Sequence, residues 1–245
     1  MKIGILQAGL VPEELASTWG EYDRIFATHL HRADPEIEIE GWRVVEGGFP
    51  PGPGAADGWL ISGSKHGVYE DHVWIPPLKD FIRAIVASGR PLIGVCFGHQ
   101  IMAEALGGRA EKSAKGWGLG PTAYEIVARP EWMRDAPAHF TIPAVHQDQV
   151  TTAPPDATRV ATSPFCENAA LVYGDPETPY AISIQPHPEF TASFARKLIE
   201  TRRGAAFPTD LSDAALARID GGDALDGDWV AQWFVDFLRM PRKAS

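Results

Sequence analysis

The residues of this 245-residue chain with the clearest chemical potential lie in Gly94-Val95-Cys96-Phe97-Gly98. A thiol that ends an apolar run where a helix begins can serve as a nucleophile, because a helix N-terminus favours thiolate. So sharp a strand-to-helix turn needs small neighbours, and Gly94 and Gly98 stand two positions either side of Cys96. The Phe97 N–H, at the head of the same helix, is placed to donate to an oxyanion. Taken alone, the segment leaves a second reading open, in which Cys96 is a small core hydrophobe closing a strand.

A thiol titrating near ~8.5 needs a base. Of eight histidines, His187 stands in Ile184-Gln185-Pro186-His187-Pro188-Glu189-Phe190. Prolines on both sides keep it out of a helix or a ladder. Residues i and i+2 of an extended segment point the same way. Glu189 is thereby placed to hold the imidazole in one tautomer and support its charged form. Alone, this segment also reads as a surface turn. Both segments follow apolar strands, and ligands bind at the carboxyl ends of strands in open α/β sheets.

The elements that must position these groups follow from periodicity. Lys2–Leu6, Ile37–Val45, Gly58–Ile61 and Pro91–Val95 read as strands, the last fully apolar as in a central parallel strand. Glu13 to about Arg32, Leu78 to Ser88 and Gly98–Leu106 read as helical. The order β-α-β-β-α-β-α predicts helices covering a mostly parallel sheet. Beyond it, Leu119–Val127, Thr141–Val145, Ala157–Ala161, Ala169–Tyr173 and Tyr180–Ile184 are short strand-like runs between Pro, Asp and Gly turns, as in an antiparallel extension. Phe190–Arg202, Thr209–Gly222 and Gly227–Met240 are helix candidates. Without a repeat or a long linker, residues 1–245 are expected to form one domain, with 191–245 a helical extension packed on it. The Trp229, Trp233, Phe234 and Phe237 stripe reads as a helix packed on the core, with a dimer or partner surface as the alternative.

Composition excludes several classes. Twenty-two basic against 32 acidic residues give a net charge of −10, unsuited to a nucleic-acid backbone. No apolar run approaches the ~20 residues of a membrane span. The N-terminus lacks the apolar core and cleavage site of a signal peptide. Two cysteines form no disulfide framework, and the sequence shows no Cys/His cluster at zinc-ligand spacing. The expected setting is cytoplasmic.

Together, Gly94–Gln100 (GVCFGHQ) and Gln185–Phe190 (QPHPEF) resemble the two signature segments of class I, triad-type glutamine amidotransferase domains, G-[IV]-C-x-G-x-Q and Q-[FG]-H-P-E. The resemblance runs from about Lys2 to Phe190. It implies a flavodoxin-like three-layer α/β sandwich. It also implies Cys96 as nucleophile, His187 as general acid/base and Glu189 as its orienter. Leu60–Val68 (LISGSKHGV) resembles the family's S-G-G-P-x-S-V loop, implying the Ser64 and Phe97 N–H groups as oxyanion donors and Gly63 as part of the substrate site. Here Ser64 replaces the second Gly, Lys65 the Pro, and Pro186 a usual Phe or Gly. Gln100 matches a position that helps hold the glutamyl group. Ala144–Val150 (AVHQDQV) resembles S-H-x-D-x-V, implying Gln147, Asp148 and Gln149 as contacts to the substrate's α-amino and carboxylate groups. Cys166, in a segment resembling another strand edge of the family, is expected to be structural.

The chemistry implied is cysteine-dependent cleavage of a γ-glutamyl amide, through a thioester, with no metal or organic cofactor required. The expected partner is a small γ-glutamyl substrate such as glutamine. Nothing in the chain resembles a synthase domain. Trp117 in Lys115-Gly116-Trp117-Gly118, with the long tail, resembles the stand-alone GMP-synthase-like group that includes plant-type γ-glutamyl peptidases. This favours a free-standing hydrolase. The alternatives are a glutaminase subunit feeding ammonia to a separate synthetase, and a non-catalytic regulatory relative. A homodimer is compatible with each of these.

Overall fold

Every residue of the runs GWLI, LIGV and AISI is buried, as expected of strands covered on both faces. The computed structural model describes residues 1–133 and 135–242. In chain order it runs β1 (Lys2–Leu6), α1 (Glu13–Trp19), α2 (Tyr22–Leu30), β2 (Glu38–Trp42), β3 (Gly58–Ile61), α3 (Ile75–Ala87), β4 (Leu92–Val95) and α4 (Phe97–Ala105). There follow β5 (Arg109–Lys112), β6 (Gly118–Ile126), β7 (His139–His146), β8 (Asp148–Thr152), β9 (Ala157–Thr162), β10 (Ala170–Tyr173) and β11 (Ala181–Ile184). Three helices close the chain: α5 (Ala192–Arg202), α6 (Thr209–Asp220) and α7 (Gly227–Arg239).

Nine strands form one sheet in the order β2-β1-β3-β4-β11-β10-β9-β6-β7, and β5 pairs with β8 in a small antiparallel sheet. From β2 to β11 the pairing is parallel, and from β11 to β7 it is antiparallel. The chain thus has the α/β architecture expected, a parallel central sheet flanked by helices with antiparallel additions.

The helices cover both faces. Phe26 and Leu30 of α2 and Val230, Phe234 and Phe237 of α7 share one buried cluster with Ile3, Ile5, Ile93 and Val95. Leu78, Ile82 and Ile85 of α3 and Ile101 and Met102 of α4 share the other with Trp59, Ile61 and Leu92. Each large apolar side chain buried this way contributes about 1.5–3 kcal/mol. Trp233, Phe234 and Phe237 are buried while Trp229 is exposed, so most of the aromatic stripe is core. α7 is fastened at its start by a reciprocal pair: the Thr141 N–H donates to Asp226 Oδ2 (2.6 Å) and the Asp226 N–H to the Thr141 carbonyl (2.8 Å).

Several boundaries differ from expectation. Gly20, at φ 80°, splits the stretch from Glu13 into α1 and α2. Helix α3 begins at Ile75 rather than Leu78, because Pro76 and Pro77 sit in the first turn, where a missing N–H costs little. β2 stops at Trp42 because the chain enters a tight turn at 44–46. β5 and β8 were not anticipated; Arg-Ala-Glu-Lys carries little apolar alternation. Among the described residues, no helix is long and apolar enough to cross a membrane.

Candidate active site

Three neighbouring strands, β3, β4 and β11, end at one place, and each delivers part of the site. β4 ends at Val95, and Cys96 caps α4 with φ 55° and ψ −105°. It is the one non-glycine residue with positive φ among those described, a strained conformation that persists only where the surroundings enforce it. They do so closely. The Cys96 N–H donates to the Ile184 carbonyl of β11 (2.9 Å), and the Gln100 N–H to the Cys96 carbonyl (3.1 Å). A Cβ on Gly94 would lie 2.6 Å from the Gly98 carbonyl oxygen, and one on Gly98 would lie 2.3 Å from that of Ile61. The two glycines are therefore needed for close approach of backbones. Gly98→Ala is expected to destabilise the fold by about 2–3 kcal/mol. Scanning calorimetry should then show a Tm lower by roughly 5–10 °C.

β11 runs into the Pro-flanked segment that presents His187. The His187 N–H donates to the Pro143 carbonyl of β7 (2.9 Å), and the ring stacks on Phe190 at 4.1 Å with the planes 1° apart. Its Nδ1 donates to Glu189 Oε1 (2.7 Å), and both side chains are buried. With Nδ1 committed to the carboxylate, Nε2 is the ring nitrogen left to serve the neighbouring Cys96.

Four histidines are buried among the described residues. Burial holds His29 and His99 down at about 3 and His146 at about 4, so all three are neutral. Burial also presses His187 down, but the Glu189 carboxylate and the Cys96 sulfur beside it more than reverse this and raise it to about 10. His187 is thus held as imidazolium beside Cys96. By contrast, burial pushes the fully buried Cys166 thiol up to about 12, out of reach of neutral-pH chemistry.

The loop after β3 forms the opposite wall. Ser62 Oγ accepts the Ala8 N–H (3.0 Å) and donates to the Gly63 carbonyl (3.0 Å). A trans peptide sets its N–H opposite its carbonyl, so fixing the Gly63 oxygen on Ser62 turns the Ser64 N–H the other way. Gly63 itself lies against His187 and Cys96: a Cβ there would be 2.9 Å from His187 Cε1 and 3.7 Å from Cys96 Cβ. Phe97 is the first residue of α4, so its N–H has no carbonyl partner within the helix.

A cleft of about 160 Å³ lies over Cys96, with Ser64, Gln100, Gln147 and Asp148 in its lining. Gln100 Nε2 donates to the Asp148 carbonyl (2.9 Å) and to Gln185 Oε1 (3.1 Å), so its amide hydrogens brace the wall. Only its carbonyl oxygen remains for other contacts. Asp148 is half-buried, which raises its carboxyl pKa, while the neighbouring Tyr69 hydroxyl and Lys112 oppose part of that rise. Gln149 is buried and is not part of the cleft wall; along β8 it faces opposite to Asp148.

Sequence reasoning missed Lys65, Tyr69, Glu70 and Lys112, which also line the cleft. Tyr69 and Glu70 lie in an irregular loop and Lys112 in an unanticipated strand, so no periodic signal pointed to them. Trp117 is in the wall too, its ring packed against that of Phe207 (centroids 4.9 Å apart), which lies between α5 and α6 in the chain.

A thiol held by an imidazole, itself held by a buried carboxylate, can attack an acyl carbon and return a proton to the leaving group. The arrangement agrees with the similarities of the chain. Residues 49–202 match the family model for class-I glutamine amidotransferases. The chain is 31% identical to gamma-glutamyl peptidase 4 of Arabidopsis thaliana over 215 residues, 84% of this chain and 83% of that protein. It is 29% identical to the glutamine-hydrolysing GMP synthase of Aliivibrio fischeri over 174 residues, 70% of this chain and 31% of that one. A glutamine amidotransferase structure from Thermotoga maritima superposes with a TM-score of 0.75 at 19% identity, covering 98% of this chain and 99% of that one.

Proposed function

Because the chain belongs to the class-I glutamine amidotransferase family, we propose that it hydrolyses a γ-glutamyl amide bond through a γ-glutamyl thioester on Cys96. The observation that carries this reading is the buried grouping of Cys96 with His187, whose ring is hydrogen-bonded to Glu189, beneath a cleft that Cys96 lines.

In this mechanism the Cys96 thiolate attacks the γ-carbonyl carbon. The oxyanion forms between the Ser64 and Phe97 N–H groups, and each such donor is worth on the order of 10²–10³ in turnover. The C–N bond then breaks, with the His187 imidazolium giving its proton to the departing nitrogen. Neutral His187 next takes a proton from water, which attacks the thioester, and glutamate leaves with the thiol restored. Glu189 keeps the ring in one orientation and supports its positive charge throughout. Asp148 suits the substrate's α-ammonium, and Lys65 and Lys112 suit its α-carboxylate. Gly63, Gln100 and Gln147 shape the wall around them, while Gln149 acts from behind it.

The resemblance to a peptidase along most of both chains supports a free-standing hydrolase whose leaving group is an amine. The GMP synthase relative, of which this chain spans about a third, supports a second reading in which ammonia passes to a separate synthetase. Glutamate release by the purified chain from glutamine and from a panel of γ-glutamyl amides and dipeptides tests both. Rapid Cys96-dependent cleavage of a γ-glutamyl conjugate, with glutamine poor, is the expected result. No turnover of any of them, with Cys96 still readily alkylated, would overturn the hydrolase and leave the subunit.

A further inference from the structure

His66, Glu70 and His72 meet at the rim of the same cleft, outside the machinery described above. Each offers one ligand atom, and the three atoms lie within 4.8 Å of one another. His66 Nδ1 and His72 Nε2 converge on a single carboxylate oxygen, Glu70 Oε2, at 3.2 and 2.8 Å. Ligands on a tetrahedral cation at bond lengths of about 2.0–2.1 Å stand about 3.3 Å apart. Closing on such an ion therefore needs only small side-chain shifts.

The rings are also braced. His72 stacks on Trp74 (6.0 Å, planes 16° apart), and His66 meets the same indole edge-on at 5.9 Å. Trp74 in turn packs on Phe97 (5.4 Å), the residue after Cys96. The backbone holds the order of the loop: the His66 N–H donates to Ser64 Oγ (3.2 Å), the Glu70 N–H to the Gly67 carbonyl (3.1 Å) and the His72 N–H to the Glu70 carbonyl (3.0 Å). His66 and Glu70 line the cleft, so a cation held there keeps its remaining positions toward open space.

We propose that His66, Glu70 and His72 form a binding site for a divalent cation of the zinc class, which fastens the segment from Ser64 to Trp74 at the rim of the cleft. Two imidazoles and one carboxylate are the donor set that borderline ions such as Zn²⁺ and Co²⁺ accept, and one that Ca²⁺ and Mg²⁺, which prefer all-oxygen shells, do not. The sequence hides the site because its ligands are spaced across an irregular loop and include no thiol.

The test uses the full chain carrying Cys96→Ala, so that the nucleophile itself cannot capture metal. Titration with Zn²⁺ against a chromophoric chelator should give one bound ion per chain with a Kd of about 10 µM or tighter. Adding His72→Ala or Glu70→Gln should weaken binding by at least about 100-fold, since even outer-shell changes cost 10–100-fold. Zn²⁺ should raise the Tm of the Cys96→Ala protein and leave that of the His72→Ala double variant unchanged. Binding that is undiminished in the His72 and Glu70 variants, or is lost only on replacing His146 or His187, would overturn the site. So would the absence of binding to the Cys96→Ala protein. In either case the three side chains are a hydrogen-bonded group and no more.

Discussion

Cys96→Ala is expected to lower kcat for γ-glutamyl hydrolysis by on the order of 10⁴–10⁶, the scale of removing the nucleophile from a triad whose members act as a unit. The measurement is glutamate release at saturating substrate, with the variant's fold checked by its Tm. A companion substitution separates chemistry from backbone geometry. At an ordinary site, exchanging Ala for Gly costs about 0.5–1 kcal/mol. At φ 55° the order should reverse, because a Cβ there is strained by about 1–3 kcal/mol and glycine is not. Cys96→Gly should therefore unfold at a temperature no lower than Cys96→Ala, while both are inactive. A clearly less stable glycine variant would mean that the conformation at the head of α4 is not held under strain. Activity retained in either variant would remove Cys96 from the reaction.

Glu189→Gln is the second large effect. The amide keeps the shape of the carboxylate and removes its charge, and kcat should fall by about 10²–10⁴. The pH dependence carries the sharper reading. With Glu189 present, His187 stays charged until about pH 10, so the alkaline limb of kcat/KM should lie there. Without the carboxylate, the desolvation that opposes the charge prevails, and that limb should move well toward neutrality. Stability follows the same sign. A group whose pKa is raised on folding contributes its full stabilisation below its unfolded value, about 6.5 for histidine, and loses it as pH climbs to the folded one. The parent should thus lose Tm between pH 6.5 and 10 more steeply than Glu189→Gln. Parallel Tm profiles would deny the pairing its electrostatic role.

Much of this site was legible from the chain because its chemistry is locally encoded. Gly94, Cys96 and Gly98 specify a turn that few other residues tolerate, and His187 and Glu189 are two residues apart, so their pairing needs no knowledge of the fold. The parallel half of the sheet was legible for a similar reason, since Gly58–Ile61 and Leu92–Val95 are apolar throughout. What escaped was set by tertiary contact. Arg109–Lys112 is a strand only because β8 supplies its partner. Tyr69 lines the cleft beside Asp148, far along the chain. Gln149 looked equivalent to its neighbours until strand alternation turned it away. The break at Gly20 shows the limit of periodicity, because the apolar positions on either side continue one helical pattern.

The adjacency of β4 and β11 has a consequence in time. In the proposed mechanism the nucleophile belongs to an early part of the chain and its base to a late one, and the Cys96 N–H to Ile184 carbonyl bond forms only when β11 lies beside β4. A nascent chain that has emerged as far as Leu106 holds the thiol without the imidazole or the carboxylate that arm it. Pairing of β11 with β4 joins the parallel and antiparallel parts of the sheet and brings His187 to Cys96. If the proposed mechanism holds, a copy in which β11 has not yet paired with β4 lacks the imidazole and carboxylate that the thiol needs.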